Sequence, residues 1–169
     1  MRAEPHSVLE SAAAKNKTAG PPLIAHVIFR LDTGGFVDPN GDQVGRVRDA
    51  VCRLRTTVTR PPQLVGLVAE MPMRRRIFLS INRITSIDAE SVVLGTGTLN
   101  LRRFEKRPNE LLVLQDLLDR RIQIGGSGKF GTVVDVAMES SRTGEWALTR
   151  VAVREQTGRL ARRGPLHQV

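Results

Sequence analysis

Tyrosine is absent from this chain, and tryptophan and cysteine occur once each among 169 residues. With five phenylalanines as the remaining aromatics, a stacking platform for single-stranded nucleic acid is excluded as the main design. A lone cysteine, Cys52, cannot form an intrachain disulfide; it fits a reducing compartment and reads as a buried small apolar residue. No apolar run approaches the roughly 20 residues that a membrane-spanning helix needs. The start, Met1-Arg2-Ala3-Glu4-Pro5-His6, leads into Ala- and Lys-rich sequence without an apolar signal core, so a cytoplasmic protein is expected. Histidines are few and dispersed, at 6, 26 and 167. With no nucleophile–base spacing or metal-ligand cluster in view, no catalytic residue, metal or cofactor is predicted and the chain is read as a non-enzyme.

What is abundant is positive charge. Lys and Arg number 26 against 17 Asp and Glu, a formal net charge of +9. Such a balance raises nucleic acid, the ribosome and anionic surfaces as partners. Hydrophobic residues make up 40%, below the usual globular share, but they fall in short runs that read as strands.

The clearest signal is internal. Gly45-Arg46-Val47-Arg48-Asp49 returns 86 residues later as Gly131-Thr132-Val133-Val134-Asp135, both G-x-V-x-D. The same offset pairs Val27 with Val113, Leu31 with Leu117, Phe36 with Ile122 and Val44 with Phe130 without a gap. After a loop two residues shorter, Leu64-Val65-Gly66-Leu67-Val68-Ala69 is echoed by Leu148-Thr149-Arg150-Val151-Ala152-Val153. Duplication of one small β unit is the simplest reading. Gly45, Val47, Asp49, Gly131, Val133 and Asp135 are thus the structural repeat motif. Alternation along the strand over 44–54 puts Val47, Asp49 and Val51 on one face. A carboxylate there needs backbone N–H groups or an arginine, because leaving it unsatisfied costs several kcal/mol.

Along the chain, residues 1–22 read as a disordered tail, 23–98 as a first repeat, 99–109 as a basic linker and 110–169 as a second repeat. A first strand is expected over 23–31. Leucines 111, 114 and 118 have helical spacing, but the repeat favours a strand near 111–115 followed by a short helical turn. Strands punctuated by turn residues, without a long helical pattern, predict a mainly β fold of two tandem small antiparallel barrels. The second is expected to be incomplete at its C-terminus, since 84–94 has no counterpart after Val169. Two tempting motifs fail. Asp38, Asn40, Asp42 and Asp49 mimic calcium-loop spacing, yet Gln43 stands where glycine is required and the flanks are strands. The glycine-rich run over 125–131 lacks the leading Gly of a phosphate loop and has Phe130 after Lys129 in place of Ser or Thr. Arg74, Arg75, Arg76, Arg102, Arg103, Lys106 and Arg107 form a candidate basic interaction patch.

Several runs carry a resemblance: Val44-Gly45-Arg46-Val47-Arg48-Asp49, Arg74-Arg75-Arg76-Ile77-Phe78, Leu99-Asn100-Leu101-Arg102-Arg103-Phe104 and Arg162-Arg163-Gly164-Pro165-Leu166-His167. Together they resemble tandem PRC-barrel modules, in particular the N-terminal segment of MgtE-like proteins. The resemblance implies a regulatory or interaction module associated with magnesium transport. It would act through barrel surfaces and strand edges, pairing with a protein partner or with itself, with peripheral membrane association through a transporter. Because a related barrel occurs in the ribosome maturation factor RimM, the alternative implied is a basic RNA- or ribosome-binding module. The acidic helical, CBS and membrane domains of a transporter have no match here, so no magnesium site is carried over.

Overall fold

The computed structural model describes residues 35–56, 60–87, 91–157 and 162–168. The tail over 1–22, the strand expected over 23–31, and His6 and His26 lie outside them. The described residues are mainly β. In chain order the strands are β1 (Gly35–Val37), β2 (Gln43–Arg53), β3 (Gln63–Glu70), β4 (Arg76–Ser80), β5 (Ile84–Ile87) and β6 (Ser91–Leu94). They continue with β7 (Glu110–Leu112), β8 (Arg121–Ile124), β9 (Lys129–Ser140), β10 (Trp146–Thr157) and β11 (Arg162–Gln168). Between β7 and β8 lies one π-helical turn, Val113–Leu117.

The repeat is visible in the hydrogen-bond register. In β2–β3, Arg46 faces Glu70, Val47 faces Ala69, Asp49 faces Val68 and Cys52 faces Leu64. In β9–β10, Thr132 faces Arg154, Val133 faces Val153, Asp135 faces Ala152 and Met138 faces Leu148. Each pair is the counterpart of the other at the sequence offsets above. Both ladders skip one residue on the first strand, Arg48 or Val134, and one on the second, Val65 or Thr149. The preceding strand also matches, with Phe36 opposite Gly45 and Ile122 opposite Gly131. On the far side, β4 lies against β3 as β11 lies against β10.

Close backbone approach explains the repeated glycine. A Cβ on Gly45 would sit 2.5 Å from the Glu70 carbonyl oxygen, and one on Gly131 2.6 Å from that of Arg154. These partners are themselves equivalent, so the glycine is required by how tightly the strands cross rather than by a turn.

The bulges change which side chains share a face. An extra residue at Arg48 shifts the alternation, since a bulge sets two residues against one. Val47, Ala50 and Cys52 therefore enter the main core, as do Val133, Val136 and Met138. Asp49 falls on the opposite face with Val51, beside Val68 and Leu112. The expectation that Val47, Asp49 and Val51 share one face is corrected accordingly.

Two separate barrels are not what forms. The strands make one open sheet in the order β5-β6-β1-β2-β3-β10-β9-β8, with β4, β7 and β11 attached to β3, β2 and β10, and its ends do not meet. The physical reason is a junction between the halves. Gln63 pairs with Ala147 and the Leu148 N–H donates to the Pro62 carbonyl at 2.9 Å, which joins β3 to β10. A single hydrophobic cluster then spans both halves, from Phe36, Leu67 and Leu79 to Val133 and Met138. Residues 84–94 form the β5–β6 pair, and β6 runs parallel to β1. Cys52 is fully buried.

Candidate interaction surfaces

The basic patch predicted from sequence is divided by the fold. Three of its arginines come from the β3–β4 hairpin, where the Met71 N–H donates to the Arg75 carbonyl at 2.8 Å. Of the three residues between them, Met73 and Arg74 have φ of 64° and 59°. Neither is Gly, Asn or Asp, the types that take positive φ most readily, so each carries strain of about 1–3 kcal/mol. Met73 is 99% exposed at the tip.

The run over 99–109 lies along β4. Arg103 bridges to Ile77, and the Phe104 N–H donates to the Arg76 carbonyl at 2.9 Å. The Phe104 ring stacks on Phe78 with centroids 6.4 Å apart. This docking brings Arg103 and Lys106 beside Arg74, Arg75 and Arg76, and the five line a groove of about 730 Å³ whose apolar floor is Val68, Leu112 and Phe104. That volume lies within the roughly 300–1,000 Å³ of ligand clefts. Arg102 and Arg107 sit outside it, lining a neighbouring cavity of about 450 Å³ near Glu110. Arg48, absent from the predicted patch, also lines the groove. Nothing in the sequence signalled this, because its placement follows from the bulge.

Carboxylates neutralise part of the groove. Glu70 receives Arg48 at 2.7 Å and Arg76 at 3.7 Å. The hydrogen bond from Arg48, more than the charges of Arg76 and Arg74, holds its carboxyl below the usual range. Lys106 pairs with Asp116, which also accepts the Leu112 N–H at 2.8 Å. Burial opposes ionisation of Asp116, but the Lys106 and Leu112 bonds bring its pKa down overall.

Asp49, at the groove wall, is turned to the backbone. Its Oδ1 accepts the N–H of Ala50 at 2.7 Å and of Leu114 at 2.8 Å, and its Oδ2 that of Gln115 at 3.0 Å. A carboxylate of the first half thereby holds the helical turn of the second. Burial pushes its pKa up, against the pull of those three bonds. Asp135 repeats the local part, accepting the Val136 N–H at 2.7 Å, but is only half-buried. Arg74, Arg75 and Arg103 make no ion pair with any carboxylate among the described residues.

A second surface is the outer edge of β8. β1 is bonded by β2 on one side and by β6, in parallel, on the other. β8, its counterpart, is bonded by β9, and no other described strand pairs with it. Beside it, the Arg121 guanidinium sits 4.6 Å from the centroid of Phe130, which is 43% exposed.

The remaining polar features have local uses. The Asp38 carboxylate accepts the N–H groups of Asn40 at 2.8 Å and Asp42 at 3.0 Å, closing its own turn. Among the described residues, no three His, Cys, Asp or Glu side chains are grouped to hold a metal ion. His167 Nε2 lies 2.9 Å from Glu155, which Lys129 also meets at 2.9 Å. No helix of the described residues is long and apolar enough to cross a membrane.

Residues 111–169 match the family described as Actinomycetes SH3 domain. The match runs from β7 to the end of the chain, covering most of the second repeat and a minority of the whole sequence. No curated protein and no solved structure matches the chain. The resemblance to PRC-barrel and MgtE-like proteins is overturned, since the family identified is an SH3-type one and no PRC-barrel or MgtE family is found. With it go the magnesium-transport reading and the RimM-like RNA or ribosome reading that it implied. The quoted G-x-V-x-D runs serve strand crossing and bulge geometry, needs that any tightly crossed antiparallel ladder can impose.

Proposed function

We propose that the chain is a non-catalytic protein-interaction module whose SH3-type half takes an extended strand of a partner chain onto the edge of β8 that no described strand occupies. SH3-type domains are interaction modules, and residues 111–169 are similar to one. Their familiar proline-rich ligands dock in aromatic-lined grooves. Only Phe130 and Trp146 are aromatic in this half; Phe130 lies under Arg121 and Trp146 is half-buried against the core. Strand addition suits these residues better, because main-chain hydrogen bonds supply its affinity.

The observation that carries the reading is the internal comparison. β1 holds β6 in parallel, with Gly35, Phe36 and Val37 opposite Ser91, Val92 and Val93. The corresponding edge of β8 has no partner among the described strands, and its backbone groups suit the same kind of partner. The test is hydrogen exchange at Arg121, Ile122, Gln123 and Ile124 with a soluble peptide carrying Ser91-Val92-Val93-Leu94. Slower exchange of the β8 amides that do not bond to β9 is expected, and no slowing with a peptide bearing Pro in place of Val93. Unchanged exchange with both peptides removes strand addition at this edge.

A further inference from the structure

We infer that the groove between the β3–β4 hairpin and the segment over 102–107 binds an acidic peptide segment of a partner protein, carboxylates on its arginines and an apolar side chain on its floor. The charge is the first observation. Three carboxylates at or beside the groove are already engaged, Asp49 with backbone N–H groups, Glu70 with Arg48 and Arg76, and Asp116 with Lys106, while Glu105 lines the neighbouring cavity. Arg74, Arg75 and Arg103 line the groove without an ion pair to any carboxylate of the described residues, although the Arg74 charge is felt at Glu70. Guanidiniums that outnumber the carboxylates around one concavity create a focused positive potential, and their planar forks match carboxylates bidentately.

Construction is the second observation. Met73 and Arg74 are held at positive φ, a conformation that L side chains rarely adopt, and both are exposed where they line the groove. Met73 is almost wholly exposed, and a flexible thioether at a rim adapts to varied apolar groups. The floor of Val68, Leu112 and Phe104 is apolar. A ligand that uses both features carries negative charge beside a hydrophobic side chain, which describes an acidic peptide. Phe104, the one aromatic of the groove, is stacked on Phe78, and no row of aromatic faces is offered to nucleic acid bases.

This inference shares with the preceding section only the premise that the chain binds proteins. The groove and β8 have no residue in common, so either can fail alone. The experiment is fluorescence anisotropy on the full chain with a labelled hexapeptide alternating Glu and Leu, at low and at raised salt. Saturable binding that weakens with salt is expected, with none for the Gln and Leu counterpart. Arg75→Glu with Arg103→Glu should weaken it at least about tenfold. Arg102→Glu with Arg142→Glu makes the same charge change outside the groove and should alter it less than about twofold. Should the first pair disturb folding, Arg74→Gln with Arg75→Gln asks the same question of exposed hairpin side chains. Absence of saturable binding, or equal loss from the groove and control pairs, overturns the inference. So does a single-stranded oligonucleotide that binds more tightly than the peptide and is lost with the groove pair.

Discussion

The Asp49 carboxylate and the Leu114 backbone N–H meet at 2.8 Å across 65 residues of chain. With Gln115 bonded at 3.0 Å to the other oxygen, one side chain of β2 holds the entry into the second repeat. Asp49→Ala strands these donors, and a loss of about 1–3 kcal/mol in urea unfolding is expected. Asp49→Asn keeps one acceptor oxygen and should cost less.

Gly45 and Gly131 should both resist a methyl group. The added Cβ of Gly45→Ala meets the Glu70 carbonyl and the Phe36 ring at 2.5 Å, and that of Gly131→Ala meets Val153 and the Arg154 carbonyl. Each substitution is expected to cost about 1–3 kcal/mol. Gly126 is the contrast, since a Cβ added there would find nothing within 4 Å. Gly126→Ala should be neutral or stabilise by up to about 1 kcal/mol, through the unfolded state. Thermal melts of the three variants decide the matter.

Cys52 should be inert in the native protein. Burial first, and the Asp49 charge second, push its thiol up to about 12. Alkylation at mildly alkaline pH is expected to follow global unfolding, with rapid labelling only in denaturant. Labelling as fast as that of a free thiol would show that β2 opens locally.

Acid should weaken the fold through Glu70 and Glu155. Hydrogen bonds from Arg48 to Glu70, and from Lys129 and then His167 to Glu155, lower both carboxyls from their ordinary 4.5. Their contribution is fully present above that value and is lost as pH falls through the lowered pKa of each. Asp49 has the opposite sign: its pKa is raised, so its contribution is greatest below its ordinary 3.8 and fades as pH rises through the raised value. Unfolding free energy measured against pH should therefore fall less steeply on the acid side in Glu70→Gln with Glu155→Gln.

The Met73 turn predicts a gain. Replacing Met73 by Asn puts a residue tolerant of positive φ where 64° is required, and a stabilisation of about 1 kcal/mol is expected in thermal melts. An unchanged melt would show that the turn holds no strain.

Local pattern determined the strands, their turns and the repeat. Gly45 and Gly131 marked equivalent positions before any register was known, because close strand crossing admits no Cβ and so recurs with each copy of the unit. The same spacing singled out Asp49 as a buried, satisfied carboxylate, though not which N–H groups satisfy it. Alternation misplaced Asp49 relative to Val47 because the bulge at Arg48 arises from pairing with β3, and a single strand does not reveal its partner's register. Contacts between distant segments settled the rest: Gln63 meeting Ala147 merged two expected barrels into one open sheet with a common core. The basic patch was legible as a set of residues, but its division was not. Arg103 joins Arg74 and Arg75 while Arg102 and Arg107 line the neighbouring cavity, because one bridge to Ile77 lays the segment beside β4, a contact that no local pattern announces.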